Sequence, residues 1–153
     1  MKTILLKILL LFGFIFSTTF LFGQDKCELS KLSKTDKQIL DNFWNDFKGA
    51  INSRDTQKLA SLCSFPFPCS YCKKKITQTS FYESGYKIFF EDNFIAEINK
   101  YDSAKDYFIY HGDFHQKHKG CSYIFSYSKG KEIFFDVTKI DNSYKITSTW
   151  RKL

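Results

Sequence analysis

Residues 121–150 read CSYIFSYSKGKEIFFDVTKIDNSYKITSTW. Taken in twos, they give Tyr123, Phe125 and Tyr127, then Ile133, Phe135 and Val137, then Tyr144, Ile146 and Trp150, with short polar breaks between the runs. Successive side chains of a strand point to opposite sides, so this alternation predicts strands with one apolar face. The breaks are Ser128-Lys129-Gly130-Lys131 and Asp141-Asn142-Ser143, in which Gly130 and Asn142 suit a positive φ. The expectation is an antiparallel meander whose apolar face needs a cover.

The cover lies upstream. Ile39, Leu40, Phe43, Trp44, Phe47, Ala50 and Ile51 fall three or four apart and make one broad apolar stripe, while Lys34, Lys37, Asp41, Asn45 and Lys48 take the other side. Ser33 is placed to cap the start of this helix over 34–52, with Asp36 three residues on to reach back. Gly49 weakens the helix near its end and suits a close approach by the sheet. Thr56 to Cys63 reads as a second, shorter helix with Leu59, Leu62 and Cys63 inward, ended by Phe65-Pro66-Phe67-Pro68. Thr79 or Ser80 caps a third helical segment with Phe81, Tyr82, Gly85, Ile88 and Phe89 at helical spacing. Ile95 and Ile98 restart it after Asn93, and Tyr107 to Tyr110 reads as a strand. The fold class is therefore α+β, with N-terminal helices packed on a curved antiparallel sheet.

The start of the chain is of a different kind. Lys2 and Lys7 precede a run from Ile8 to Phe22 that is apolar apart from Ser17, Thr18 and Thr19, the pattern of an export signal. Cleavage is expected after Gly23, with Thr19 as the runner-up. An uncleaved anchor is the competing reading, because Ile4 to Phe22 approaches the length of a bilayer span. The organisation expected is a signal peptide over 1–23, a polar leader over 24–32 and one domain over 33–153, in a periplasmic or secreted bacterial protein. Without residues 1–23, 130 residues remain, enough for one domain and its core. Their net charge falls from +7 to +5 with the loss of Lys2 and Lys7, which favours anionic neighbours but, with export, weighs against nucleic acid.

All five cysteines, Cys27, Cys63, Cys69, Cys72 and Cys121, follow the leader signal. In an oxidising compartment they suit two disulfides and one free thiol, in any of about fifteen arrangements. The odd thiol has two outcomes, burial as a small hydrophobe or pairing with another chain in a homodimer. Cys69 and Cys72 have the spacing of a redox dithiol, but Pro68 precedes them, Lys73 to Lys75 follow, and no βαβ unit surrounds them, so a structural cross-link is expected.

Few residues point to chemistry. His111, His115 and His118 fall within eight residues beside Asp113 and Cys121, a loose likeness to a metal-ligand cluster. In an exposed loop the rings would face water, and no metal or other cofactor is expected. Asp136 is the only acid well inside a meander strand; opposite Phe135 it shares a face with Phe134, Thr138 and Lys145, and a solvated outer face is expected there. Asp136, His111 and Tyr110 are the weak catalytic candidates. No nucleophile elbow, phosphate loop or dinucleotide fingerprint is present. Aromatic residues are dense, thirteen Phe, nine Tyr and two Trp after residue 23. Tyr123, Tyr127, Tyr144, Trp44 and Trp150 are the binding candidates, against the plainer expectation that such rings fill the core.

Three features together resemble the NTF2-like, cone-shaped α+β superfamily, also grouped with cystatin-like folds. They are Phe43-Trp44-x-x-Phe47-Lys48-x-Ala50-Ile51 followed by Asp55, Lys58, Leu59 and Leu62; Phe65-Pro66-Phe67 after the second helix, as in secreted bacterial members; and the strand pair Glu132 to Thr138 and Ser143 to Trp150 joined at Asp141-Asn142. The resemblance covers most of residues 33–151 and implies a curved sheet wrapped over helices, with a pocket used by different members for catalysis, small ligands or protein contacts. Catalytic members carry an Asp, His or Tyr in that pocket. No residue-by-residue match to such a set is present here, and no histidine falls in the expected helices or meander.

Three functions follow as expectations. The first is a non-enzymatic domain that binds a small molecule, peptide or partner protein through the cone pocket or an aromatic rim. The alternatives are a pocket enzyme of hydrolase or isomerase type, and a disulfide-stapled structural or inhibitory protein with Cys69 to Lys75 as its contact loop. Membrane contact is expected only through an uncleaved leader.

Overall fold

The computed structural model describes residues 28–110, 121–128 and 132–151, with the backbone alone of Tyr110. Residues 1–27, with the export signal and Cys27, lie outside the described residues, as do His111, His115, His118 and Gly130. The architecture is α+β. Helix α1 spans Lys34–Asn52 and α2 Thr56–Ser61; α3 is the single turn Gln78–Ser80, α4 is Asp92–Ile98 and α5 Ala104–Tyr107. The strands are β1 Ile109–Tyr110, β2 Ser122–Ser128, β3 Glu132–Ile140 and β4 Ser143–Arg151, antiparallel in the order β1-β2-β3-β4, so that three full strands carry a two-residue edge strand. No helix among the described residues is long and apolar enough to cross a membrane.

Helix α1 starts where Ser33 accepts the Asp36 backbone N–H at 3.0 Å, and the Ser33 hydroxyl donates to the Asp36 carboxylate at 2.8 Å. Its buried residues are Leu40, Phe43, Trp44, Phe47, Ala50 and Ile51, the expected stripe. The leader is tied to it, since Leu32 is buried and its N–H bonds the Glu28 carbonyl. Gly49 does not face the sheet: a Cβ there would meet Lys58 Nζ of α2 at 3.8 Å, ordinary contact distance. In α2, Asp55 caps the Lys58 N–H, and Leu59, Leu62 and Cys63 are buried.

Residues 77–98 are helical, but as short pieces. Thr77 is the cap, forming a reciprocal box with Ser80, so the start lies before the expected Thr79 or Ser80. A π-turn over Phe81–Gly85 and a 3-10 turn over Lys87–Phe90 follow, which rotate Phe81 and Phe89 into the core together. Of the strand expected over Tyr107 to Tyr110, Ile109 and Tyr110 form β1, whereas Tyr107 ends α5, which is capped by Ser103. Tyr107 turns inward between Trp44 and Phe125, and its hydroxyl donates to the Ser126 carbonyl; only Ile109 and Tyr110 pair with β2.

The meander departs from simple alternation at one point. Val137 pairs with Ile146 but Asp136 pairs with Ser148, leaving Thr147 as an extra residue in β4. A bulge of this kind shifts every later side chain to the other face. Tyr144 and Ile146 therefore point at the helices, whereas Trp150 pairs with Phe134 on the outer face, opposite to the face that alternation assigns it. At the β3–β4 turn the positive φ falls on Asp141 rather than on Asn142.

Candidate functional site

The space between α1 and the sheet is closed by rings. Trp44, Phe47, Phe94, Phe125 and Phe135 are almost wholly buried. Phe47 touches Phe125 at 5.4 Å and Phe89 at 5.9 Å between ring centroids, Phe89 lies 5.0 Å from Phe135, and Phe125 stacks on Phe135 at 4.9 Å. Phe47 and Phe89 meet edge to face, Phe125 and Phe135 stack, and the other two pairs are tilted, arrangements that suit the ring quadrupole and pack the space closely.

Four of the five binding candidates belong to this core. Trp44 donates its indole N–H to the Tyr101 carbonyl at 3.3 Å. Tyr123 and Tyr144 lie 5.8 Å apart, and burial pushes the Tyr144 hydroxyl up to about 12. Tyr127 sits edge-on to Phe94. None of the four is more than 4 % exposed, so each acts on the fold and presents little surface to a ligand. Trp150 alone is part-exposed, on the outer face, where its ring stacks on Phe134 at 4.0 Å.

Asp136 is the catalytic candidate that the structure describes fully. It lies on the outer face, as the alternation requires, but it is buried rather than solvated. Its carboxylate accepts the Ser148 hydroxyl and, at 3.2 Å, the Trp150 indole N–H. Those two bonds tie the bulged part of β4 to β3. Beside them the hydroxyls of Ser122, Thr138 and Thr147 form a chain at 3.0 and 2.9 Å. A buried polar seam of this kind satisfies its own members and fixes register. For Tyr110 only the backbone is described, and His111 lies outside the described residues with the other two histidines.

The residues from Phe67 to Ile76 form a loop closed by two backbone bonds between its ends, Phe67 N–H to Ile76 O at 3.0 Å and the reverse at 2.9 Å. Within it Cys69 and Cys72 are joined in a disulfide, the expected cross-link. The loop is sewn to the free edge of β4: Ser70 N–H bonds Thr149 O, Thr149 N–H bonds Pro68 O, and Arg151 N–H bonds the Ser70 hydroxyl, all at 3.0 Å. Tyr71 shares a hydrogen bond with the Thr149 hydroxyl, and the Arg151 guanidinium lies 4.4 Å from its ring centroid. Cations over aromatic faces are attracted by the quadrupole, which holds both groups in place. Every residue from Ser70 to Lys75 is exposed.

Comparison with protein-family models, with characterised proteins and with solved structures finds no match for this chain.

The end of β4 is therefore a rim built from two sides of one strand. Tyr71 and Arg151 stand on one side and the Phe134–Trp150 stack on the other, with Lys73, Lys74 and Lys75 projecting from the adjoining loop. Neither type nor spacing marks Arg151 in the sequence. The signal that marks it is compositional, since neither residues 56–82 nor residues 143–153 contain an acid, and the structure brings these two spans together. A separate groove of about 570 Å³ opens beside α1, between Leu29, Leu32 and Leu40 on one side and Asp41, Ser103 and Lys105 on the other. The remaining cysteines divide in two. Cys121 is disulfide-bonded, and Cys63 is a free thiol, buried beside the Leu59 carbonyl, with desolvation raising it to about 12.

Proposed function

We propose that this chain is an exported, non-enzymatic binding domain of the NTF2-like, cone-shaped kind, which holds a peptide or partner protein at the rim formed by Tyr71, Arg151, Trp150 and Phe134. The observation that supports this reading is the ring-packed interior between α1 and the sheet, which leaves little room for a ligand there among the described residues. Support also comes from the immobilised aromatic and guanidinium groups at the rim, because pre-ordered side chains lose little freedom on binding. The Cys69–Cys72 disulfide suits an oxidising compartment and the leader at the start of the chain suits export. The order of helices, Phe-Pro-Phe segment and meander supports the family reading.

A second reading, a small-molecule site, is favoured by the groove beside α1, whose volume falls within the range of about 300–1,000 Å³ typical of such sites. One experiment separates the two. Peptides selected from a random display library on the exported, oxidised full chain are titrated into isotope-labelled protein, and amide shifts are mapped by NMR. Shifts clustered at Ser70, Tyr71, Trp150 and Arg151 are expected. Selection of peptides that move Leu29, Leu40 and Ser103 would transfer the function to the groove, and failure to select any peptide would remove the rim reading.

A further inference from the structure

We infer that the segment held at this rim is an acidic peptide stretch, recognised through Lys73, Lys74, Lys75 and Arg151. The inference rests on the rim reading and adds the chemistry of the partner. Among the described residues five other cations lie beside carboxylates, Lys31 with Glu28, Arg54 with Asp92, Lys58 with Asp46, Lys100 with Glu97 and Lys139 with Asp36, while Lys37, Lys48 and Lys145 bond backbone carbonyls instead. Lys73, Lys74, Lys75 and Arg151 belong to none of these pairs among the described residues. The cause is in the sequence, because the two spans that meet at the rim contain no Asp or Glu able to neutralise them. Three successive exposed lysines with Arg151 give this end of the molecule a local excess of positive charge, with Glu132 and Asp136 of β3 as the acids beside it, and fields of this kind choose and steer partners of opposite sign.

Geometry favours a peptide over a lipid surface. Insertion into a bilayer interface needs apolar side chains free to leave the protein. Here Tyr71 is held by Thr149 and covered by Arg151, and Trp150 is stacked on Phe134 and bonded to Asp136. Among the described residues the exposed large hydrophobic groups are Tyr71, Tyr82 and Ile109, which leaves no free apolar anchor beside the lysines. A carboxylate-bearing chain needs no such anchor. It meets a planar guanidinium suited to two-point contact with carboxylate, and ammonium groups on an ordered loop.

The test uses the exported, oxidised full chain and fluorescence anisotropy with two labelled decapeptides, one of alternating Glu and Leu and its Gln and Leu counterpart, beside vesicles of phosphatidylcholine with phosphatidylglycerol. The Glu peptide is expected to bind at least about tenfold more tightly than the Gln peptide in 50 mM salt, with the difference largely lost near 0.5 M as screening shortens. The triple variant K73Q/K74Q/K75Q, whose side chains are exposed and bear no load in the fold, is expected to weaken the Glu peptide about tenfold while the melting temperature holds. Equal binding of the two peptides, or an unchanged triple variant, overturns the acidic partner. A preference for the anionic vesicles over the Glu peptide overturns it in favour of lipid. Library-selected peptides that map to Tyr71 and Trp150 without acidic bias would sink this inference and leave the rim reading standing.

Discussion

Replacing Phe47 with alanine tests the claim on which the functional reading depends, that the interior is filled. Phe47 is fully buried and meets Phe43, Trp44, Phe89, Phe94 and Phe125 with ring centroids 5.4 to 6.3 Å away. An aromatic side chain buries roughly 150–250 Å², and at about 25 cal/mol per Å² its transfer is worth roughly 4–6 kcal/mol. This is an upper bound, because the unfolded chain already hides part of that area and alanine keeps some of it. Neighbouring rings are themselves held by further rings, so the space left by Phe47 cannot collapse easily, and a loss of about 3–5 kcal/mol is expected. That is a large share of the roughly 5–15 kcal/mol that holds a domain together. With a urea dependence of about 2 kcal/mol per molar for a chain of this size, the unfolding midpoint should fall by roughly 1.5–2.5 M. Phe47→Leu, which keeps most of the volume, should lose less than about 1.5 kcal/mol. If Phe47→Ala instead cost under 1 kcal/mol with an unchanged urea slope, the rings would be lining an existing hollow, and binding would return to the cone.

Gly49→Ala should raise stability by about 0.5–1 kcal/mol in the same urea assay, since the position is helical, exposed and open to a methyl group. Asp36 is held below its ordinary value by the hydrogen bond from Lys139 at 2.5 Å and then by that from Ser33. A depressed carboxyl stabilises the fold above its unfolded pKa of about 4 and loses that contribution as pH falls through the folded value. Asp36→Asn should therefore be less stable than the parent at pH 6, with the gap closing as the pH is taken down toward 2; a gap independent of pH would refute this. Cys63 should resist a thiol reagent at pH 8 in the native protein and react once the chain is unfolded without reductant. Peptide mapping should then find Cys69, Cys72 and Cys121 unlabelled, and labelling of Cys72 would contradict the disulfide.

The helices and meander were legible because their burial follows period: the α1 stripe and the inward set Tyr123, Phe125, Tyr127, Ile133, Phe135 and Val137 are buried as alternation requires. Period fails where one residue is inserted. Thr147 carries no Gly or Pro signal, so nothing local announces the bulge, and Trp150 is assigned to the wrong face. Asp136 misleads for a related reason. Its solvation depends on the partners Ser148 and Trp150, twelve and fourteen residues away, which the bulge brings onto its own face. Tyr107 shows tertiary packing overriding β-propensity, since the ring finds Trp44 and Phe125 only if the backbone turns helically. The candidate site was half visible. The contact loop could be marked from its cysteines and lysines, but the meeting of Tyr71 with Arg151 is a product of the loop lying along β4.

That loop has one more consequence, for how copies of the chain can join. Leu62 and Ser64 occupy the outer backbone groups of Ile146, and Pro68 and Ser70 those of Thr149. Strand addition by a neighbouring chain needs such groups free. With this border of the sheet taken, β1 is the other border among the described strands through which two copies would extend their sheets. A pairing that uses β1 on both copies would leave neither with a second growing end among the described strands, so association of that kind stops at a symmetric pair.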